Sequence, residues 1–271
     1  MSEQMKINVG VIFGGRSVEH EVSIISAQAI AAMNADKYHA VPIYISKEGQ
    51  WYSGDILLDL NAFKNMSQLL KQAIPIEISA NYGKKEIFTR ESGLFKKPWS
   101  ERIDVILPVV HGTSVEDGCL QGLLETAGIP YAGPGVLGSA VGMDKIMMKG
   151  VLREAGLPVV DYRAYALFQW QEDEEALLAD IEDAFAYPLV IKPANLGSSI
   201  GITMVTSHEQ LRDAVELAFS FSTRMIAEKA VTPLREINCA VLGAPGDLIS
   251  PRPVMISSPL PINIWLHLAR V

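Results

Sequence analysis

The segment Lys192-Pro193-Ala194-Asn195-Leu196-Gly197-Ser198-Ser199-Ile200-Gly201 sets a lysine ahead of a glycine- and serine-rich loop. Glycines let backbone N–H groups approach phosphate oxygens, serine hydroxyls add donors, and a lysine supplies a point charge. A loop of this composition suits a nucleotide phosphate. It is not a Walker A loop, because no Gly-Lys-Ser/Thr ends it and no helix pattern follows. A polar hairpin connection accounts for the same residues, so both readings stand at this point.

Three further stretches carry polar groups at places where chemistry is done. Gly14-Gly15-Arg16-Ser17-Val18-Glu19-His20-Glu21-Val22-Ser23 leaves an apolar run and opens a helical pattern. Such a position favours ligands at the carboxyl end of a strand and anions at a helix start. Glu19 could instead grip an ammonium group, or, with Glu21, complement the helix dipole. His111-Gly112-Thr113-Ser114-Val115-Glu116-Asp117-Gly118 also follows an apolar run. It reads either as a ligand loop or as a capped turn with Asp117 at the helix N-cap. Met143-Asp144-Lys145 opens a helix, and Glu228 and Glu236 sit at the ends of strand patterns. Carboxylates so placed can accept from an adenine amino group or ribose hydroxyls; each is equally readable as a surface charge.

The elements that must position these residues follow from periodicity. Ile7 to Phe13 is a continuous apolar run stopped by Gly14-Gly15, the pattern of a buried parallel strand. A helix is expected over Ser23 to Met33, strands over His39 to Ser46 and Val105 to Val110, and a helix over Cys119 to Ala127 closed by Gly128. This alternation predicts an N-terminal doubly wound parallel sheet over residues 1–133, with 47–100 as an irregular insertion. Ala132-Gly133-Pro134-Gly135 marks a boundary. Beyond it, an α+β block is expected over 134–235, with the start of a further subdomain over 236–271. Its helices are placed at Val136–Met143, Lys145–Ala155, Glu172–Phe185 and His208–Phe219. Its strands are placed at Pro158–Ala166, Pro188–Lys192, Ile200–Val205, Met225–Lys229 and Glu236–Leu242.

The chain has 271 residues, 49% hydrophobic and 20% charged, with a formal net charge of -8. That balance describes a globular protein of roughly two domains and supplies no basic excess for a nucleic-acid partner. Two cysteines, Cys119 and Cys239, lie in apolar surroundings with no metal-ligand spacing and are expected to be buried free thiols. No apolar run reaches the ~18 residues of a membrane span, and no signal-peptide pattern precedes the first strand. A cytoplasmic protein without a membrane partner is expected.

Four motifs in order, GGRSVEHEVS, PVVHGTSVEDGCLQG, YAGPGVLGSAVGMDK and VIKPANLGSSIG, resemble the D-alanine–D-alanine ligases of the ATP-grasp superfamily. The resemblance covers about residues 5–245, the insertion included. It implies ATP-dependent joining of two D-alanines for peptidoglycan, through an acylphosphate. It also implies a homodimer and ATP with Mg²⁺. Glu19 resembles the carboxylate that binds the ammonium of the first D-alanine, with Ser198 hydrogen-bonded into the same network, and Glu116 and His111 on the substrate side. Lys145 and Lys192 resemble the phosphate lysines, with Ser198 and Ser199 in the phosphate loop. Glu228, Lys229 and Val231 resemble the adenine hinge, and Glu236 the ribose carboxylate. The family usually has a glycine before the Arg-Glu pair, where this chain reads Thr232-Pro233-Leu234-Arg235-Glu236. A related ligase with D-lactate or D-serine as acceptor, and a non-catalytic nucleotide-binding remnant, are the alternatives.

After about Gly246 the resemblance ends. Ser250–Val271 contains no acidic residue, whereas the family continues with a Lys-Tyr pair, Mg²⁺-holding carboxylates and an arginine. No metal ligand is therefore assigned. Taking the third base of each codon from Pro261 to Trp265 with the first two of the next permits Asp-Lys-Tyr-Leu-Ala. An out-of-frame tail is the resulting expectation, with poor folding and little ligase turnover. Sequencing the gene tests it: a frame that no single-base shift reopens beyond Val271 removes the idea.

Overall fold

The computed structural model describes residues 6–89, 99–197, 199–238, 242–244, 247–249 and 254–256. Contacts divide the chain into two units, with the division inside a helix at Ser139/Ala140.

In the first unit, β1 (Ile7–Gly14) is followed by α1 (His20–Ser26), a 3-10 segment (Ala27–Ala32) and β2 (Tyr38–Ile45). Next come β3 (Trp51–Ser53), α2 (Met66–Gln72), β4 (Ile74–Pro75), β5 (Glu77–Ile78), β6 (Glu86–Phe88) and β7 (Ser100–Arg102). β8 (Val105–Pro108), α3 (Cys119–Ala127) and α4 (Val136–Met143) complete the run. The main sheet has the order β4-β3-β2-β1-β8. β1 pairs parallel with β2 (Ile7 opposite Tyr38, Gly14 opposite Ile45) and with β8 (Val9 opposite Val105, Ile12 opposite Pro108). β3 and β4 are antiparallel additions, so the sheet is parallel at its centre and mixed overall.

Alternation along the strands splits the core between two faces. Ile12, Ile43, Ile45 and Ile106 face Leu120 and Leu124 of α3. Phe13 and Tyr44 face Ile24 of α1 and Leu69 of α2. With both faces covered, β1 reads as a nearly unbroken apolar run.

The expected irregular insertion is corrected. Residues 51–53 and 74–75 extend the main sheet, and β5-β6-β7 form a small sheet of their own. Ile76 and Ile87 there are buried in the core, which gives these short strands a reason to form. The helix expected from Ser23 starts earlier, at His20, and tightens into 3-10 geometry from Ala27. The expected burial of Cys119 is also corrected: as the first residue of α3 it is exposed. Cys239 lies outside the described residues.

The second unit holds α5 (Lys145–Glu154), β9 (Tyr162–Ala166), α6 (Leu167–Glu172), α7 (Glu174–Ala184) and β10 (Leu189–Pro193). β11 (Thr203–Val205), α8 (His208–Phe221) and β12 (Arg224–Lys229) follow. Its sheet runs β11-β10-β12-β9, antiparallel throughout. Leu189, Ile191, Met225 and Ala227 pack with Leu177, Leu178 and Ile181 of α7 and Leu211, Val215 and Ala218 of α8. The alternate positions of β10 and β12, among them Lys192 and Glu228, occupy the other face. The single helix expected over Glu172–Phe185 is two helices, because Asp173 stops α6 and caps α7, accepting from the Ala176 N–H at 2.9 Å. The strand expected from Ile200 begins only at Thr203, because residues 199–201 turn, with Ser199 and Gly201 at positive φ.

Later in the chain, β13 (Glu236–Asn238) pairs with β16 (Val254–Ile256), and β14 (Leu242–Ala244) with β15 (Asp247–Ile249). β13 and the start of β14 lie at the two ends of the strand expected over Glu236–Leu242, whose residues 239–241 lie outside the described residues. No helix among the described residues is long and apolar enough to cross a membrane.

Candidate functional site

In the first unit the connections from β1 lead to β2 on one side and β8 lies on the other. The strand order thus reverses at β1, and the crevice at the carboxyl ends of β1 and β8 is the ligand position of this architecture. The two loops that leave it are Gly14–Glu19 and Val109–Gly118.

Side chains tie these loops together. Ser23 Oγ accepts from the Gly14 N–H at 2.8 Å and donates to the Val109 carbonyl at 2.5 Å. Ser17 Oγ donates to the His111 carbonyl at 2.5 Å. Gly14 (φ +86) has no room for a side chain, since a Cβ there would lie 2.2 Å from the Ile45 carbonyl oxygen. His20 is buried, with Nδ1 2.6 Å from the Gly15 carbonyl and Nε2 3.0 Å from the Tyr44 hydroxyl. Burial raises the Tyr44 hydroxyl above its ordinary pKa, so it stays protonated as a partner for His20.

Glu19 immediately precedes α1 and is buried, with 7% exposure. Its side chain makes no cap hydrogen bond to α1, and its charge at the helix start complements the helix dipole as well as offering a carboxylate to the crevice. Glu21, in the first turn of α1, is exposed and ion-paired with Lys47. Gly112 (φ +85) lets the second loop close over Glu19: a Cβ there would lie 2.7 Å from Glu19 Oε2 and 2.8 Å from Ser17 Cβ. Glu116 Oε2 accepts from the Gly112 N–H at 2.7 Å. His111 Nε2 lies 3.2 Å from Ser26 Oγ. Asp117 accepts from the Ser114 and Cys119 N–H groups at 2.7 and 3.2 Å, while the residue in the N-cap position is Gly118 rather than Asp117. Glu19, His111 and Glu116 are thus brought to the carboxyl end of one parallel sheet.

In the second unit, Lys192 on β10 lies opposite Ile226 and Glu228 on β12 lies opposite Val190. Lys192 and Glu228 are therefore diagonal neighbours on one face, and their side chains form an ion pair. Glu228 is 5% exposed. Asp144 caps α5, accepting from the Ile146 and Met147 N–H groups, and pairs with Arg224. This sets Lys145 at the helix start, its N–H donating to the Ala194 carbonyl at 2.7 Å and Nζ donating to the Leu196 carbonyl at 2.5 Å. Burial first, and the Lys192 charge second, hold the Lys145 ammonium down at about 8.

The loop after β10 turns at Ile200 and Ile202, whose N–H groups donate to the Gly197 and Ser199 carbonyls at 3.1 and 3.2 Å. Ser198 lies outside the described residues. At the end of β12 the Lys229 N–H reaches the Asp161 carbonyl at 3.4 Å, and beyond it Val231 is 49% exposed. Glu236 opens β13 on a separate two-stranded sheet, its backbone opposite Ile256.

Lys145, Lys192 and Glu228 therefore share one partly buried polar cluster. Sequence reading missed its fourth member, Lys149, whose Nζ lies 2.8 Å from Glu228 Oε2. The available signal was helical spacing: Lys149 is four residues after Lys145, on the same face of α5. Among the described residues, no three His, Cys, Asp or Glu are grouped to hold a metal ion.

Known proteins of this architecture match most of the chain. A family model for the D-ala D-ala ligase N-terminus matches residues 8–134, and one for the C-terminus matches residues 151–257. The D-alanine–D-alanine ligase of Natranaerobius thermophilus is 39% identical over 254 residues, covering 90% of this chain and 67% of that protein. The solved D-alanine–D-alanine ligase of Coxiella burnetii superposes with a TM-score of 0.78 at 34% identity, over 93% of this chain and 71% of that one. The VanG D-Ala:D-Ser ligase of Enterococcus faecalis gives 0.77 at 35% identity, over 92% and 69%. The chain thus spans about two thirds of the length of these relatives. On sequence, fold and strand order together, the chain belongs to the D-alanine–D-alanine ligase family of ATP-grasp enzymes.

Proposed function

We propose that this chain is the D-alanine- and nucleotide-binding part of an ATP-dependent ligase that joins two D-alanines for peptidoglycan. The observation that carries the reading is the polar cluster of Lys145, Lys192 and Glu228 beside the turn at Gly197–Gly201. A buried carboxylate with lysine ammonium groups directly beside it suits a ligand that carries both phosphates and an exocyclic amine.

In this proposal the Lys145 and Lys192 ammonium groups meet the phosphates, with Ser198, Ser199 and the loop amides as further donors. Glu228 accepts from the adenine amino group, the backbone of Lys229 to Val231 reads the ring edge, and Glu236 takes the ribose hydroxyls. Glu19 binds the ammonium of the first D-alanine, with Glu116 fixing the loop above it and His111 on the substrate side. ATP supplies the phosphoryl group that activates the first D-alanine as an acylphosphate, which the amine of the second then attacks. Residues 1–133 serve the amino acid, 134–235 the nucleotide, and 236–271 begin the next subdomain. The described residues offer no Mg²⁺ ligand set. A cytoplasmic homodimer completes the proposal.

D-serine as acceptor is the second reading, favoured by the likeness to the VanG D-Ala:D-Ser ligase. Calorimetric titration with ATP and with D-alanine tests the binding roles; a chain that takes up neither refutes them. Product analysis with D-alanine against D-alanine plus D-serine separates the acceptors.

A further inference from the structure

Glu228 is held by two lysines at once. Lys192 takes one carboxylate oxygen and Lys149 sits 2.8 Å from the other. The side chains of Lys149 and Glu228 are 11% and 7% exposed, that of Lys192 23%. The Lys149 contact is an ion pair without hydrogen-bond alignment, so Oε2 accepts no hydrogen bond among the described residues. Lys149 is also fixed elsewhere: Nζ donates to the Val160 carbonyl at 3.4 Å and lies 5.3 Å from the centre of the Tyr162 ring. Tyr162 itself donates to the Ile146 carbonyl on α5.

This arrangement poses a problem for nucleotide binding. The lysine assigned to the phosphates is already engaged by a buried carboxylate. A buried charge left without a partner is strongly unfavourable, so Lys192 could not leave Glu228 if it were the sole partner. We propose that Lys149 is the resident counter-charge of Glu228, which allows Lys192 to exchange the carboxylate for the nucleotide phosphates. The inference rests on the nucleotide-site reading above. Lys149 is thus a positioning residue, anchored to the β9 strand and its approach, and does not itself touch phosphate.

Calorimetry with ATP and with adenosine, on the full chain, tests this. Adenosine has no phosphate and does not need Lys192 released. Lys149→Met is expected to weaken ATP by about 10- to 100-fold, the worth of one charge-assisted hydrogen bond, while adenosine affinity is unchanged. Lys149→Arg is expected to restore ATP binding. In a Glu228→Gln background, where nothing captures Lys192, Lys149→Met is expected to lose its effect on ATP. Equal weakening of ATP and adenosine would overturn the proposal in favour of mere support of the fold. An undiminished effect in the Glu228→Gln background would overturn it in favour of direct phosphate contact, and no effect at all would also overturn it. Absence of ATP binding by the unsubstituted chain removes the nucleotide-site reading and this inference with it, and is thereby distinguished from the other outcomes.

Discussion

Replacing Lys145 by methionine separates what the proposed phosphate-binding role needs from what the fold prefers. The ordinary lysine value is 10.5, and burial with the Lys192 charge brings Lys145 to about 8. That gap makes the charged form unfavourable by on the order of 3 kcal/mol. Between the two values the unfolded chain holds a proton that the folded chain does not, so stability rises with pH across that window. The penalty is fully present below about pH 8 and fades towards 10.5. Methionine keeps most of the stem, removes the charge and forfeits the hydrogen bond to the Leu196 carbonyl, worth about 1 kcal/mol. The net expected gain at pH 7 is therefore about 2 kcal/mol. For a unit of this size that raises Tm by roughly 10 °C. Thermal melts of both proteins by circular dichroism at pH 7 and pH 10 measure it. The variant is expected to melt higher at pH 7, with the gap narrowing by pH 10, and to bind ATP more weakly. A variant that melts at or below the parent at pH 7, or a gap independent of pH, would refute the reasoning.

Three further outcomes follow from the first unit. Gly112→Ala forces a side chain into positive φ against Glu19; it is expected to lower stability by about 1–3 kcal/mol and to weaken D-alanine, and an unchanged melt would sink the packing argument. Glu19→Gln removes the charge offered to the D-alanine ammonium. Calorimetry is expected to show D-alanine affinity reduced roughly 10- to 100-fold with ATP unaffected; equal loss of both ligands would contradict the role. The Cys119 thiol is pushed up by the Asp117 carboxylate and by burial, so alkylation at pH 8 is expected to be slower than that of free cysteine despite exposure. Asp117→Asn is expected to speed it, and identical rates in the two proteins would remove the cause assigned.

The parts of this fold that announce themselves in sequence are those whose local pattern and tertiary burial agree. β1 is one continuous apolar run because both of its faces are covered. α3 begins and ends as its pattern predicts because Gly118 and Gly128 adopt the left-handed conformation at its two ends. Residues 47–100 disguise themselves, since their strands are two or three residues long and too short to show a period. Asp173 looks like one more carboxylate on an acidic helix face, and only its capping hydrogen bond reveals the break. The candidate site divides along the same line. Glu19, Glu116 and Lys192 sit in motifs dense with glycine and polar residues. Lys149 sits among apolar helix positions and gains meaning only from Glu228, far away in sequence but 2.8 Å away in space.

The serine bridges of the first unit have a consequence for how an amino acid would be received. Ser23 and Ser17 stitch the segment after β1 to the segment after β8 through two hydrogen bonds of 2.5 Å, and Ser23 also accepts from the Gly14 N–H at 2.8 Å. Each hydroxyl reaches from one segment to the other, so neither can drift without dragging its neighbour. A small ligand such as D-alanine has few atoms with which to order a floppy receptor. A recess already stitched shut at its base demands little ordering on arrival, so even a ligand this small can keep most of its interaction energy as affinity.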